Sequence, residues 1–144
     1  MRLCAFALLL IAAVPAAAWA AQDPEEAPWT LTLELSGGPA ALDREIVLTN
    51  TGMVTATDRI GKTTVSEQLS PDDTQALTRL ARGYSPNDLT SATCTNCVTY
   101  VLDIDAAGRK YSISMTERQL ASSGAETLVR ALTRVLTRML SQRP

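Results

Sequence analysis

Apolar positions along this chain recur mostly every second residue, and only two segments shift to a helical period. In Trp29-Thr-Leu-Thr-Leu-Glu-Leu35, Trp29, Leu31, Leu33 and Leu35 fall on one side of an extended segment. Gly37-Gly38-Pro39 breaks that strand, and Leu42 to Thr49 restarts the pattern with Ile46 and Leu48 inward. Asn50-Thr51-Gly52 predicts a tight turn, so Met53 to Thr57 folds back as a third strand. Ile60-Gly61-Lys62 predicts another turn, followed by a more polar strand from Thr63 to Gln68.

The period then changes. Ser70-Pro71-Asp72-Asp73 predicts a helix start: serine caps free N–H groups, proline suits the first turn, and aspartates complement the dipole. Ala76, Leu77, Leu80 and Ala81 form a narrow stripe, and Gly83 with Pro86 ends the helix. Tyr84 to Asn96 is the longest stretch without periodicity.

A hairpin follows, with Val98, Tyr100, Leu102 and Ile104 answered by Tyr111, Ile113 and Met115. Folding it about Ala106 to Arg109 sets Ile104 opposite Tyr111, Leu102 opposite Ile113 and Asp105 opposite Lys110, so apolar meets apolar and acid meets base. One face of this hairpin is expected to be wet. Ala125 to Ser141 is helical in period, with Leu128, Val129, Leu132, Val135, Leu136, Met139 and Leu140 on one face. Arg130, Arg134 and Arg138 recur on the other face. These elements predict an α+β fold: a mainly antiparallel sheet of five or six strands with two helices packed on one face.

The start of the chain changes the picture of where this fold works. Arg2, the apolar run Leu3 to Val14 and the small residues of Ala18-Trp19-Ala20 have the form of an export signal. Residues 1–20 are therefore expected to be removed, 21–28 to form a disordered leader rich in acid and proline, and 29–144 to form one domain in the periplasm or outside the cell. The apolar run is too short to span a bilayer comfortably, and no second one follows, so no integral membrane segment is expected after signal removal.

Charge and composition then exclude chemistries. The formal net charge is −2 and becomes one unit more negative when Arg2 is lost, which argues against a nucleic-acid partner. The chain has 0 histidines, so Ser-His-Asp, Cys-His and H-E-x-x-H arrangements are impossible. No cofactor and no catalytic residue is expected, and the protein reads as a non-enzyme.

Cys94 and Cys97 are the two cysteines beyond the leader. A zinc half-site would need two further ligands, and a thioredoxin-like pair needs a helix where a strand is predicted here. A disulfide that fixes the entry to the next strand is the favoured reading. Other candidates have plainer readings. The arginine stripe could meet an anionic lipid surface or acidic partner, or be the solvated face of a packed helix. Asp103 and Asp105 with Arg109 and Lys110 read as a surface ion-pair ladder rather than a carboxylate site.

The order of elements resembles a known family. A strand ending in Gly-Gly, a second strand, a leucine-bearing helix, a Tyr-x-Leu-x-Ile/Tyr-x-Ile hairpin and a terminal amphipathic helix are similar to the family of the protealysin-associated inhibitor emfourin. The likeness is carried by Leu33 to Leu42, Leu69 to Leu80, Tyr100 to Ile113 and the helix after Ala125. The family consists of small bacterial inhibitors of thermolysin-type metallopeptidases, so the resemblance implies a secreted metallopeptidase as partner. The expected contact element is the turn Gly37, Gly38, Pro39, Ala40, Ala41 and Leu42. Ala41 stands where that family usually has glycine, the region Asn50 to Gln68 is longer, and the cysteine pair and export signal are additions.

Overall fold

The computed structural model describes residues 28–85, 87, 89, 94–106 and 109–142. The expected export signal (residues 1–20) and most of the expected leader (21–27) lie outside the described residues. Pro28 is exposed and leads directly into the first strand.

Six strands form one antiparallel sheet: β1 Trp29–Gly37, β2 Leu42–Thr49, β3 Met53–Asp58, β4 Thr63–Gln68, β5 Val98–Ala106 and β6 Arg109–Thr116. Their order across the sheet is β4-β3-β2-β1-β5-β6, so the first strand lies inside and the β5–β6 hairpin adds to its other side. Helices α1 Pro71–Arg82 and α2 Glu126–Ser141 pack on one face, giving the expected α+β architecture.

Alternation in sequence becomes one-sided burial. Leu31, Leu33, Leu48, Val54, Ala56 and Leu102 are each 0% exposed, and all point to the helix side in rows set by the strand register. Leu128, Val129, Leu132, Leu136 and Met139 of α2 close over them. The predicted hairpin register is observed: Ile104 pairs with Tyr111, Leu102 with Ile113 and Asp105 with Lys110, whose side chains meet at 3.0 Å.

Helix starts and turns follow local chemistry. The Ser70 hydroxyl accepts a hydrogen bond from the Asp73 amide at 3.1 Å, capping α1 where the sequence places its start. Within α1 only Leu77 is buried; Ala76, placed in the apolar stripe by its spacing, is exposed. Helix α1 packs mainly against α2, so it buries a seam narrower than its full apolar set. The turn before β3 needs Gly52, whose φ is 80° and where a Cβ would lie 2.5 Å from the Thr74 hydroxyl of α1. Helix α2 starts one residue later than its period suggests. There the buried Ser123 hydroxyl donates to the Leu120 carbonyl at 2.6 Å and accepts from the Ala125 amide at 3.0 Å.

The other face of the sheet is polar. Thr30, Thr32, Thr55, Thr57, Asp103 and Ser112 lie along it, with Val47 and Val101 as apolar interruptions. Arg59 crosses its lower end and meets Asp43 at 2.9 Å, Glu45 at 2.6 Å and Glu34 at 3.5 Å. The hydrogen bond with Asp43 and the charge of Glu45 push the guanidinium pKa up.

Tyr84 sits beside the core with its hydroxyl buried and unpaired among the described residues, and burial raises its pKa above the usual 10.0. The folded state therefore holds this proton more tightly than the unfolded state, and stability falls as pH rises through the unfolded value. Tyr84→Phe is expected to be neutral, or stabilising by up to about 1 kcal/mol, at pH 7, because an unpaired buried hydroxyl is removed. It should also flatten the loss of stability above about pH 10. Urea unfolding of both proteins across that range checks the outcome.

Candidate functional site

The two features the sequence sets apart, the glycine-proline turn and the cysteine pair, come together at one end of the sheet. Gly37 ends β1 and Leu42 begins β2, so the connection is the four residues Gly38, Pro39, Ala40 and Ala41. The Ala41 amide donates to the Gly38 carbonyl at 3.0 Å, closing a β-turn with Pro39 at its second position. Pro39, Ala40 and Ala41 are exposed at the tip.

Both glycines are needed for conformation and for space. Gly37 and Gly38 have φ of 79° and 72°, in the left-handed region. A Cβ at Gly37 would lie 3.1 Å from the Cys97 carbonyl oxygen, and one at Gly38 would lie 2.8 Å from Cγ2 of Val98. The Gly38 amide donates to the Cys97 carbonyl at 3.1 Å. Ala41 also lies in the left-handed region, at φ 47°, a conformation glycine adopts more readily.

The cysteine loop thus braces the turn. Cys94 and Cys97 lie within disulfide distance, their Cα atoms 5.7 Å apart, and Asn96 between them takes a positive φ of 63°. Cys97 leads straight into β5, whose first residue Val98 pairs with Gly37. A strand, not a helix, follows the pair, as its sequence context indicates.

A second turn, between β3 and β4, reaches the same end of the sheet. Ile60 there is 62% exposed, the most exposed of the large hydrophobic side chains described. The turn is held by the Arg59 amide donating to the Asp43 carbonyl at 2.9 Å and the Gly61 amide donating to the Asp58 carboxylate at 2.7 Å. Arg44 and Asp58, paired at 3.2 Å on the helix side, tie the same strands. These ion pairs join residues 14 to 25 positions apart, so no local pattern announced them.

The remaining candidates lie elsewhere. Arg130, Arg134 and Arg138 are exposed on α2. Arg130 pairs with Glu126 at 2.7 Å within the helix, and Arg138 pairs with Glu67 of β4. Arg130, Thr133 and Arg134 also line a shallow cleft of about 200 Å³ against Tyr100, whose pKa is raised by burial and by Glu117 and lowered by Arg130. Asp103, Asp105 and Lys110 line an open depression of about 470 Å³ on the polar face. Among the described residues, no group of three or more Cys, Asp or Glu is placed to hold a metal ion, and no helix is long and apolar enough to cross a membrane.

No protein-family model matches the chain, and no curated protein sequence matches it significantly.

Two substitutions test the strain in the turn. Gly38→Ala combines a left-handed φ with a 2.8 Å clash and should cost about 1–3 kcal/mol in thermal or urea unfolding. Ala41→Gly relieves an unfavourable φ while loosening the unfolded chain, so its net effect should stay within about 1 kcal/mol.

Proposed function

We propose that this chain is an exported, non-enzymatic binding protein that presents the Gly37–Leu42 turn to a partner, and that the partner is a thermolysin-type metallopeptidase. The observation that carries the reading is the contrast within the turn. Its tip, Pro39 to Ala41, is exposed and made of small residues, while its base is fastened to the cysteine loop through Gly37 and Gly38. A loop held in one conformation before contact loses less entropy on binding, and small side chains allow its backbone close approach to a cleft. The left-handed Ala41 is compatible with the glycine usual at that position in the family the sequence resembles. The export signal and the cysteine pair fit an oxidising compartment, where a secreted peptidase would be met.

Two other readings have less support. A membrane or acidic partner for α2 would draw on Arg130, Arg134 and Arg138, and two of the three are already paired with glutamates. A redox role for Cys94 and Cys97 would favour a thiolate stabilised at a helix start, and β5 stands there instead.

Titration of purified protein against a panel of thermolysin-type enzymes tests the proposal. Inhibition is expected, abolished by Ala40→Glu at the tip and weakened several-fold by Pro39→Gly, which frees the turn. Undiminished peptidase activity across the panel at high excess of the protein would remove the reading. Inhibition that survives Ala40→Glu would move the contact away from this turn.

A further inference from the structure

The end of the sheet that carries the glycine-proline turn holds a second turn of similar build. Arg59, Ile60, Gly61 and Lys62 connect β3 to β4, as Gly38 to Ala41 connect β1 to β2. The last residue of each connection is left-handed, with φ of 48° at Lys62 and 47° at Ala41. Strand β2 pairs Leu42 with Gly37 but Arg44 with Asp58, so the first turn stands two residues beyond the second. Strand geometry then puts the second tip about 7 Å behind the first and about 10 Å to its side, a separation of about 12 Å.

The two tips differ in chemistry. Pro39, Ala40 and Ala41 are exposed but small, so they allow close approach and offer little apolar area. Ile60 is a large aliphatic side chain and is 62% exposed. The backbone around it is pinned, with the Arg59 amide on the Asp43 carbonyl, the Gly61 amide on the Asp58 carboxylate, and the Thr63 hydroxyl donating to the Gly61 carbonyl at 3.0 Å. The Arg59 guanidinium adds Glu34 of β1 and Asp43 and Glu45 of β2, so the second turn is fastened to the strands that carry the first. Met53 and Tyr111 are the other exposed large apolar side chains described. Tyr111 pairs with Ile104, level with Leu31, and Met53 precedes Val54, which is level with Leu48 and so with Leu31. Both therefore lie at least about 20 Å from the first turn along the strands.

We infer that Ile60 is the apolar anchor of the interface made by the Gly37–Leu42 turn, filling an apolar pocket of the same partner about 12 Å from its contact with Ala40. The inference rests on that turn being the peptidase-binding element, and it adds where the affinity resides. A stable protein–protein interface buries about 800 Å² on each partner, a patch about 16 Å in radius. A patch of that size centred on Ala40 covers Ile60 and stops short of Met53 and Tyr111. The cysteine loop adds Thr95 and Asn96 to it, and the second turn adds Lys62, all exposed and polar. Among the described residues, Ile60 is thus the one exposed large apolar side chain within the patch. Binding energy concentrates on a few such groups, while their neighbours supply shape and exclude water. The first turn sets the fit and Ile60 sets the strength.

Inhibition constants of the purified protein against thermolysin-type enzymes test the inference, with urea unfolding as the control for folding. Ile60→Ala should weaken inhibition about tenfold, and Ile60→Glu more strongly, because the aliphatic side chain no longer leaves water on binding. Ile60→Leu should stay within about threefold of wild type, since volume and polarity are kept. All three should unfold at the wild-type midpoint, because the side chain is largely exposed in the free protein. Met53→Ala and Tyr111→Ala should leave inhibition unchanged. Full inhibition by Ile60→Ala and Ile60→Glu would overturn the anchor and leave the first turn as the contact. Losses from Met53→Ala or Tyr111→Ala equal to that from Ile60→Ala would overturn it by moving the contact to another surface. Absence of inhibition by the wild-type protein would remove the reading of the turn, and the anchor with it.

Discussion

The central strand β1 is held from both sides, by β2 and by β5, and every other element takes its position from that double pairing. Leu31, Leu33 and Leu35 point from β1 to the helix side, where Leu48, Ile46, Ile104 and Leu102 flank them in register. A slip of one residue on either side would turn a leucine row to solvent and bring threonines and Glu34 into the core. At roughly 1.5–3 kcal/mol for each large apolar side chain buried, that error is far costlier than any single surface ion pair here could offset. The register of the whole sheet is therefore fixed by one-sided burial, and the ion pairs only reinforce it.

That constraint also explains why the turn and the cysteine loop are neighbours. Strand β5 follows β2 by nearly fifty residues of chain, yet it lies beside β1, which offers an apolar row on the helix side where the other edge, β4, carries Thr63, Val65 and Glu67. Once β5 is seated antiparallel to β1, its first residue Val98 stands beside Gly37, and Cys97 beside Gly38. The two glycines then serve a close backbone approach as well as a left-handed turn. The cysteine pair closes too short a loop to restrict the unfolded chain strongly, so its main mechanical effect is on this junction.

Much of the charge on the polar face of the sheet and on α2 is matched within the chain. Arg59 is shared by three carboxylates, Lys110 meets Asp105, and Arg130 and Arg138 meet glutamates. A surface neutralised in this way has little long-range pull on a charged partner. The distinctive surfaces are instead geometric: a small-residue tip and an exposed isoleucine turn at one end of the sheet.

Much of this was written in local sequence. The alternation from Trp29 to Leu35, the Ser70 cap, the Gly83 stop and the Ile104–Tyr111 register are all decided by residues within a few positions of one another. Short-range periodicity and turn chemistry report them directly. The exposure of Ala76 and the caging of Arg59 were not legible, because each depends on elements far away in the chain. The meeting of Gly38 with Cys97 was likewise hidden, since neither residue type nor spacing encodes which strand will sit beside β1. The sequence by itself determined which segments are strands and helices and which side of each is apolar. Only the tertiary structure decided which segments far apart in the chain became neighbours, because pairing beyond a hairpin is settled by which apolar rows can be buried together, a property of the assembled sheet and of no single segment.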